Sequence, residues 1–207
     1  MKRTAWVLVA AALLAGCAAA PRPRVSDPAA MLAQHSREAR IAADPEWALS
    51  GRLAISDGRE SGSGRIHWRE HDGRYAIELA APVSRRSWRL TGDAHGALLE
   101  GLDGGPRRAR DADRLLAEAL GMQVPLVHLR AWVRGARGPG EAVVEFGPEG
   151  LPAAMRQSGW TIEFRDWYRD RTLPLPRRVF ADRGDVRVRL VVDTWSDPAA
   201  AATAARP

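Results

Sequence analysis

Two histidines and a glutamate in His67-Trp68-Arg69-Glu70-His71 have the spacing H-x-x-E-H, in which one class of zinc peptidases holds its metal. That chemistry needs a helix, because only there do positions i and i+4 face one ion. The flanks here alternate with period two and run into Asp72-Gly73, a hairpin signal. On a strand, His67 and His71 stand ~13 Å apart at ~3.3 Å per residue, whereas zinc requires each ligand within ~2.1 Å. Glu70 then points to the opposite face. The reading is of two surface or turn histidines, and no metal is expected. Ser61-Gly62-Ser63-Gly64 lacks the following helix of a nucleophile elbow. The segment Gly101-Leu102-Asp103-Gly104-Gly105 lacks the lysine and helix of a phosphate loop. His35, His95 and His128 stand singly. No catalytic constellation and no cofactor are read, and the chain is expected not to be an enzyme.

The residue with a definite chemistry is Cys17, the only cysteine. It follows charged Lys2 and Arg3, an apolar run from Ala5 to Leu14, and Ala15-Gly16. A plain secretory signal shares the apolar run and the small-residue end. The lone thiol directly after Leu-Ala-Gly favours a bacterial lipoprotein signal. In that reading residues 1–16 are cleaved, and Cys17 becomes an N-terminus carrying covalent acyl chains. The run is too short for a membrane-spanning helix of ~20 residues. With Cys17 lipidated, no thiol remains for a disulfide or a thiolate metal site. The formal charge is +6, and loss of Lys2 and Arg3 leaves about +4. Such a basic chain suggests nucleic acid in a cytoplasmic protein. Export excludes that partner and leaves a weak preference for anionic lipid headgroups.

The elements that position everything else follow from periodicity. Residues 17–27 read as a lipidated N-terminus and flexible tether, residues 28–196 as one domain, and the Ala-rich residues 197–207 as a disordered tail. Asp27-Pro28 opens a helix, Asp27 as cap and proline at the first position. Met31, Leu32, His35, Ala39 and Ala42 are its expected buried stripe, and Asp44-Pro45 its end. From Trp47 the period becomes two. Trp47, Leu49, Gly51, Leu53 and Ile55 share one strand face, and Gly64, Ile66 and Trp68 another. Tyr75, Ile77 and Leu79 line a third strand, and Trp88 and Leu90 a fourth. Short strands follow at 96–102 and 106–109. Two helices come next, one capped by Asp111 with Leu115, Leu116, Ala119 and Leu120 on its apolar face and Gly121 as stop. The other opens at Pro125, with Leu126, Leu129, Trp132 and Val133. Strand signals return at 141–147, 160–168, 177–182 and 185–195. No helices alternate with the strands, which argues against a parallel sheet and for one large antiparallel meander. So long a sheet must curl or close, and three amphipathic helices suffice to cover its concave face. The seven tryptophans of the mature chain, Trp47, Trp68, Trp88, Trp132, Trp160, Trp167 and Trp195, are expected in cores and apolar walls.

These residues, in this order, resemble the LolB family of outer-membrane lipoproteins. The matching stretches begin with Trp47-Ala48-Leu49-Ser50-Gly51-Arg52-Leu53-Ala54-Ile55 and the Gly64 to Trp68 strand. Tyr75 to Leu79 with Ala81-Pro82-Val83 follow, then Leu120-Gly121, Pro125, Leu129 and Trp132-Val133-Arg134-Gly135. Gly159-Trp160-Thr161-Ile162, Leu175-Pro176, Val188-Arg189-Leu190 and Trp195 complete them. The resemblance implies a mainly β, α+β fold: an incomplete, strongly curved antiparallel β-barrel of about nine to eleven strands lidded by about three helices, around an apolar cavity. It implies a protein held by lipid in the outer membrane and facing the periplasm, and a monomer is expected. Such a protein accepts lipoproteins from a LolA-like periplasmic carrier and inserts them into the inner leaflet, with no bond made.

The resemblance also implies a protruding loop with an exposed apolar residue for membrane insertion. Here that is Pro82-Val83-Ser84-Arg85, with Val83 where the family commonly has leucine and Ser84 where it has glycine. Ala18, after the lipidated cysteine, fits sorting to the outer membrane. Trp47, Leu49, Ile66, Trp68, Ile77, Leu79, Leu116, Leu129 and Trp132 are the cavity candidates, on the expectation that these faces turn inward. A related lipoprotein that binds another amphiphile, and a structural lipoprotein with a filled core, are the alternatives.

Overall fold

The computed structural model describes residues 24–25, 27–81, 86–120 and 123–196. The chain runs through β1 (Arg24–Val25), α1 (Pro28–Ala43) and six strands: β2 (Trp47–Ser56), β3 (Ser61–His71), β4 (Arg74–Ala81), β5 (Arg86–Asp93), β6 (Gly96–Glu100) and β7 (Arg107–Ala109). Helices α2 (Ala112–Leu120) and α3 (Leu126–Trp132) follow. Five strands finish the domain: β8 (Ala142–Phe146), β9 (Pro152–Gln157), β10 (Trp160–Tyr168), β11 (Leu175–Arg183) and β12 (Val186–Ser196).

All strands join one antiparallel sheet in the order β1-β8-β9-β10-β11-β12-β2-β3-β4-β5-β6-β7. Two meanders are therefore welded where the last strand, β12, pairs with β2, Leu190 opposite Leu53 and Trp195 opposite Leu49. The sheet is not closed, since β1 and β7 end it. Its curvature needs glycine at two central contacts. A Cβ on Gly51 would lie 2.2 Å from the Val191 carbonyl oxygen, and one on Gly64 2.5 Å from that of Ala80.

Alternation sends one face of the longer strands inward. In β3, Ile66, Trp68 and Glu70 are buried while Arg65, His67, Arg69 and His71 are exposed. Six of the seven described tryptophans are buried, and Trp88 is half-buried. Trp47, Trp68 and Trp195 form one cluster with centroids 5.3 and 5.7 Å apart. Trp132 packs against Trp160 at 5.9 Å and gives its Nε1 proton to Gln157 Oε1.

Asp27 caps α1 as its sequence predicts, accepting from the amides of Ala29 and Ala30. The expected buried stripe of α1 is corrected. Ala30, Gln34, Arg37 and Ile41 face inward, whereas Leu32, His35, Ala39 and Ala42 are exposed and Met31 is half-buried. The physical reason is hydrogen bonding. Arg37 donates to the carbonyls of Arg134, Gly135 and Pro174, and Gln34 to that of Gly135. Arg134 returns a bond to Ile41 O in the last turn of α1. Arg134 thus places a cation against the carbonyl end of α1, where the macrodipole favours it, and Arg37 places one on the carbonyls just past the end of α3. Glu38 binds Arg137 through both carboxylate oxygens. Two strands lie outside the expected set: β9, and the two-residue β1 inside the expected tether.

Candidate functional site

The strands β2–β5, β11 and β12 turn apolar side chains toward α2 and α3. Between them lies a hollow of about 60 Å³. All sixteen residues that line it are apolar. Ile66, Trp68, Ile77 and Leu90 come from β3, β4 and β5. Val179, Ala181, Val188 and Leu190 come from β11 and β12, and Leu116, Val124, Leu126, Leu129 and Val133 from the helical side. Leu53, Ile55, Trp88 and Leu129 are half-buried, so the hollow thins toward solvent at that end. The hollow holds about two waters' worth of space at ~30 Å³ each, and without polar partners it stays dry.

A larger concavity, about 1030 Å³, opens outside the barrel along β3–β7. Arg69, Arg74, Arg108 and Arg110 stand on it. It is an open groove with arginines on its rim, whereas the hollow is walled by apolar side chains alone and largely enclosed; the hollow is the candidate site.

A buried carboxylate stands beside the hollow. Glu70, buried two residues along β3 from Trp68, accepts from Trp68 Nε1 at 2.9 Å and from Arg130 of α3. Burial pushes the Glu70 carboxyl above its ordinary value, and Arg130 opposes that rise. The Arg130–Glu70 pair is thus a direct polar tie from α3 to the sheet. The tie of α2 to α3 is the Leu126 amide donating to Asp113 Oδ1 at 2.7 Å. At the other flank Arg37 is buried, and its guanidinium falls to about 10 chiefly through burial.

The five histidines make no converging set. His67 and His71 point outward from β3, away from Glu70. His67 Nδ1 meets Ser50 Oγ at 2.9 Å, and His71 sits between Glu46 and Asp72 on the surface. Ser158 Oγ does approach His128 Nε2, at 2.9 Å. The same nitrogen reaches the Pro139 carbonyl at 3.2 Å. A carbonyl only accepts, so Nε2 carries the proton and is no base toward Ser158.

Of the nine cavity candidates, Ile66, Trp68, Ile77, Leu116 and Leu129 line the hollow. Trp47 and Leu49 are buried toward the far end of β2, Trp132 is buried against Trp160, and Leu79 stands half-buried on the outer groove beside Trp88. None of these four lines the hollow. The lining that sequence reasoning missed includes Leu53, Ile55, Trp88, Leu90, Val188 and Leu190. The first four lie on the same alternating faces already read as apolar. What periodicity lacks is which end of each strand the helices cover. Val124, Leu126, Val133, Val179 and Ala181 complete the set. Helix α1 gives none of it. Cys17, Ala18, Pro82, Val83, Ser84, Arg85 and Gly121 lie outside the described residues.

Comparison with known proteins agrees with this architecture. A LolA superfamily protein from Nitrosomonas europaea superposes with a TM-score of 0.53 at 9% identity, over 79% of this chain and 92% of that one. A DUF1329 family protein from Desulfovibrio piger gives 0.52 at 8% identity, over 83% and 94%. These two share the fold. Sequence relatives are much nearer. The outer-membrane lipoprotein LolB of Xanthomonas campestris pv. campestris (strain B100) is 42% identical over 203 residues, covering 91% of this chain and 93% of the relative. That of Xylella fastidiosa (strain 9a5c) is 40% identical over 200 residues, covering 93% and 92%. The family profile described as outer membrane lipoprotein LolB matches residues 45–195. On profile and relatives together, the chain belongs to the LolB family of outer-membrane lipoproteins.

Proposed function

We propose that this protein receives lipoproteins from a LolA-like periplasmic carrier and passes them to the inner leaflet of the outer membrane, holding their acyl chains in the hollow. The observation that carries this is a hollow walled by apolar side chains alone, under two short helices. Burying a methylene is worth ~0.8 kcal/mol, so one acyl chain of roughly sixteen carbons is worth on the order of 10 kcal/mol. A carrier must offset most of that and still release its cargo. An acyl chain entering between α2, α3 and the sheet exchanges apolar contacts for apolar contacts, which costs little. At about 60 Å³ the hollow is nearly shut, so α2 and α3 move outward as a chain enters. Direction comes from graded affinity, carrier to acceptor to bilayer. No covalent step and no cofactor is involved beyond the acyl chains on Cys17.

In this reading residues 1–16 are removed, Cys17 anchors the domain by lipid, and Ala18 permits sorting to the outer membrane. Pro82-Val83-Ser84-Arg85 joins β4 to β5, and its flanks Ala81 and Arg86 pair at the end of the sheet that carries the half-buried Ile55 and Trp88. Val83 is the membrane-contact residue. Transfer is tested by mixing a loaded carrier with this protein in vesicles and following cargo insertion. Cargo that stays on the carrier overturns the reading, and uptake of other amphiphiles alone favours a different ligand. Val83→Glu is expected to keep folding and cargo receipt but to lower insertion at least tenfold. Unchanged insertion removes Val83 from the mechanism.

A further inference from the structure

The outward face of the central strands is arginine-rich in a way that costs stability. Arg52 of β2 and Arg65 of β3 are direct cross-strand partners. Like charges placed so are destabilising. Along the same row β12 contributes Val191 opposite Arg52, and β11 contributes Arg178 opposite Val191. Arg52 has Asp193 at 3.3 Å. Arg65 and Arg178 have no ion pair among the described residues. One row over, Arg189 binds Asp182 at 2.6 Å, and Arg187, opposite the same carboxylate, is left outside that pair. The half-buried Phe180 sits between the guanidinium groups of Arg165 and Arg189, 4.5 and 4.9 Å from its centroid.

Arginines on β7, by contrast, need no partner to explain them, because charge on an edge strand blocks pairing with another chain. Strands β2, β3, β11 and β12 are central, so edge protection does not account for Arg52, Arg65 and Arg178. On this face Arg65, Arg178 and Arg187 have no ion pair among the described residues, while Arg52, Arg165 and Arg189 each share one carboxylate; a face with this excess of cations around Phe180 and Val191 has the chemistry of a bilayer contact. Guanidinium groups meet phosphates there, and small apolar groups meet the interface.

We infer that the outer face of β3-β2-β12-β11 lies on an anionic phospholipid bilayer, so that the domain rests on its side with its strands roughly parallel to the membrane. This rests on the proposed lipid anchor. From Cys17 to Arg24 there are seven residues, which span at most ~25 Å at ~3.6 Å each. That bilayer is therefore always within reach. The chain enters β1 beside Phe146 and runs toward Glu145, so the anchored end arrives from the side of the 147–151 turn. The rim of the hollow, with Ile55 and Trp88, lies toward the other end of the sheet. A side-on pose keeps both ends near one surface. Each arginine brought within the membrane's surface potential adds about fivefold to partitioning.

The test uses the mature lipidated protein in vesicles of phosphatidylcholine, with or without about a third phosphatidylglycerol. A dye attached through Val191→Cys on this face is compared with one attached through Val127→Cys, which is exposed on α3, and headgroup spin labels serve as quenchers. Dye at position 191 is expected to be quenched several-fold more than dye at position 127 in anionic vesicles. The difference should vanish at ~1 M salt, where screening falls to ~3 Å. It should also vanish in Arg52→Glu/Arg65→Glu/Arg178→Glu, with thermal unfolding showing that this variant is folded. Arg65→Gln alone should cut the anionic preference about fivefold. Equal quenching at both positions, or quenching indifferent to charge reversal, overturns the inference. Charge reversal that blocks receipt from a loaded carrier while leaving quenching intact also overturns it, and makes the face a protein-docking surface. Uptake of an apolar fluorophore without vesicles separates this from the acyl-transfer reading. Loss of uptake with quenching intact sinks that reading alone.

Discussion

On one flank of the barrel, α1 is fastened by charged hydrogen bonds to the segment after α3 and to the loop before β11: Arg37 to the carbonyls of Arg134, Gly135 and Pro174, Arg134 to Ile41 O, and Glu38 to Arg137. On the other flank, α2 and α3 lie over the hollow through Leu116, Leu126, Leu129 and Val133, with Glu70–Arg130 and Asp113–Leu126 as polar ties. The difference is in what can be exchanged. A buried hydrogen bond has one partner in one geometry, and losing it leaves an orphaned group. An apolar contact is replaced by any other apolar contact at little cost. The first flank is built to stay, and in the proposed function it is the second that lets a hydrocarbon chain in.

The largest effect is expected where the fixed flank is cut. Arg37→Ala leaves the carbonyls of Arg134, Gly135 and Pro174 without their donor and removes the stacking over Trp167, 4.9 Å away. Hydrogen bonds to charged groups are worth ~1.5–3 kcal/mol each, and neighbours do not add fully, so a loss of about 3–5 kcal/mol follows. Chemical denaturation measures it. Probe uptake per folded molecule should not change. A loss under ~1 kcal/mol would mean that this flank is held by packing.

Filling the hollow is the next test. Ala181 is buried on its wall, and Ala181→Phe places a ring where an acyl chain would lie. Overpacking costs ~1–3 kcal/mol, which the fold should survive. Uptake of an apolar fluorophore should fall at least tenfold. A variant that binds the probe as before would move the binding site away from the hollow.

The flanks also differ in how far the sequence announces them. Strand periodicity exposes the sheet: β2 to β6, β8 and β10 to β12 all carry apolar faces at spacing two. β9 escapes because Pro152, Ala153, Ala154 and Arg156 are poor strand formers. It is a strand because β8 and β10 hold it from both sides. The stripe of α1 escapes because its inward positions are Gln34 and Arg37, which hydropathy reads as solvent-facing. Their partners are carbonyls about a hundred residues away. The hollow escapes partly. Which residues face inward follows from alternation, but which inward residues border empty space depends on where α2 and α3 cross the sheet. Trp132 and Leu49 look as apolar as Leu116 and Ile66, yet they pack solidly.

The smallest effect is in pH dependence, where the flanks should have opposite signs. Glu38, on the fixed flank, has a carboxyl that burial alone would raise; hydrogen bonds from Arg137 and Gln34 hold it below its ordinary value. Its stabilisation is present above the unfolded value of ~4.3 and is lost as pH falls through the lower folded value. Glu70, beside the movable flank, is raised by burial against the pull of Arg130. The folded protein takes that proton before the unfolded chain does, so its effect favours the fold as pH drops from neutral toward ~4.3. Glu70→Gln should therefore flatten the stability curve between neutral pH and ~4.3, and Glu38→Gln the fall below it. With the charged tie to Arg130 gone, Glu70→Gln should also take up an apolar probe faster at neutral pH, whereas Glu38→Gln should not. Equal uptake rates in the two variants would show that Glu70 does not restrain α3, and the contrast between the flanks would reduce to packing alone.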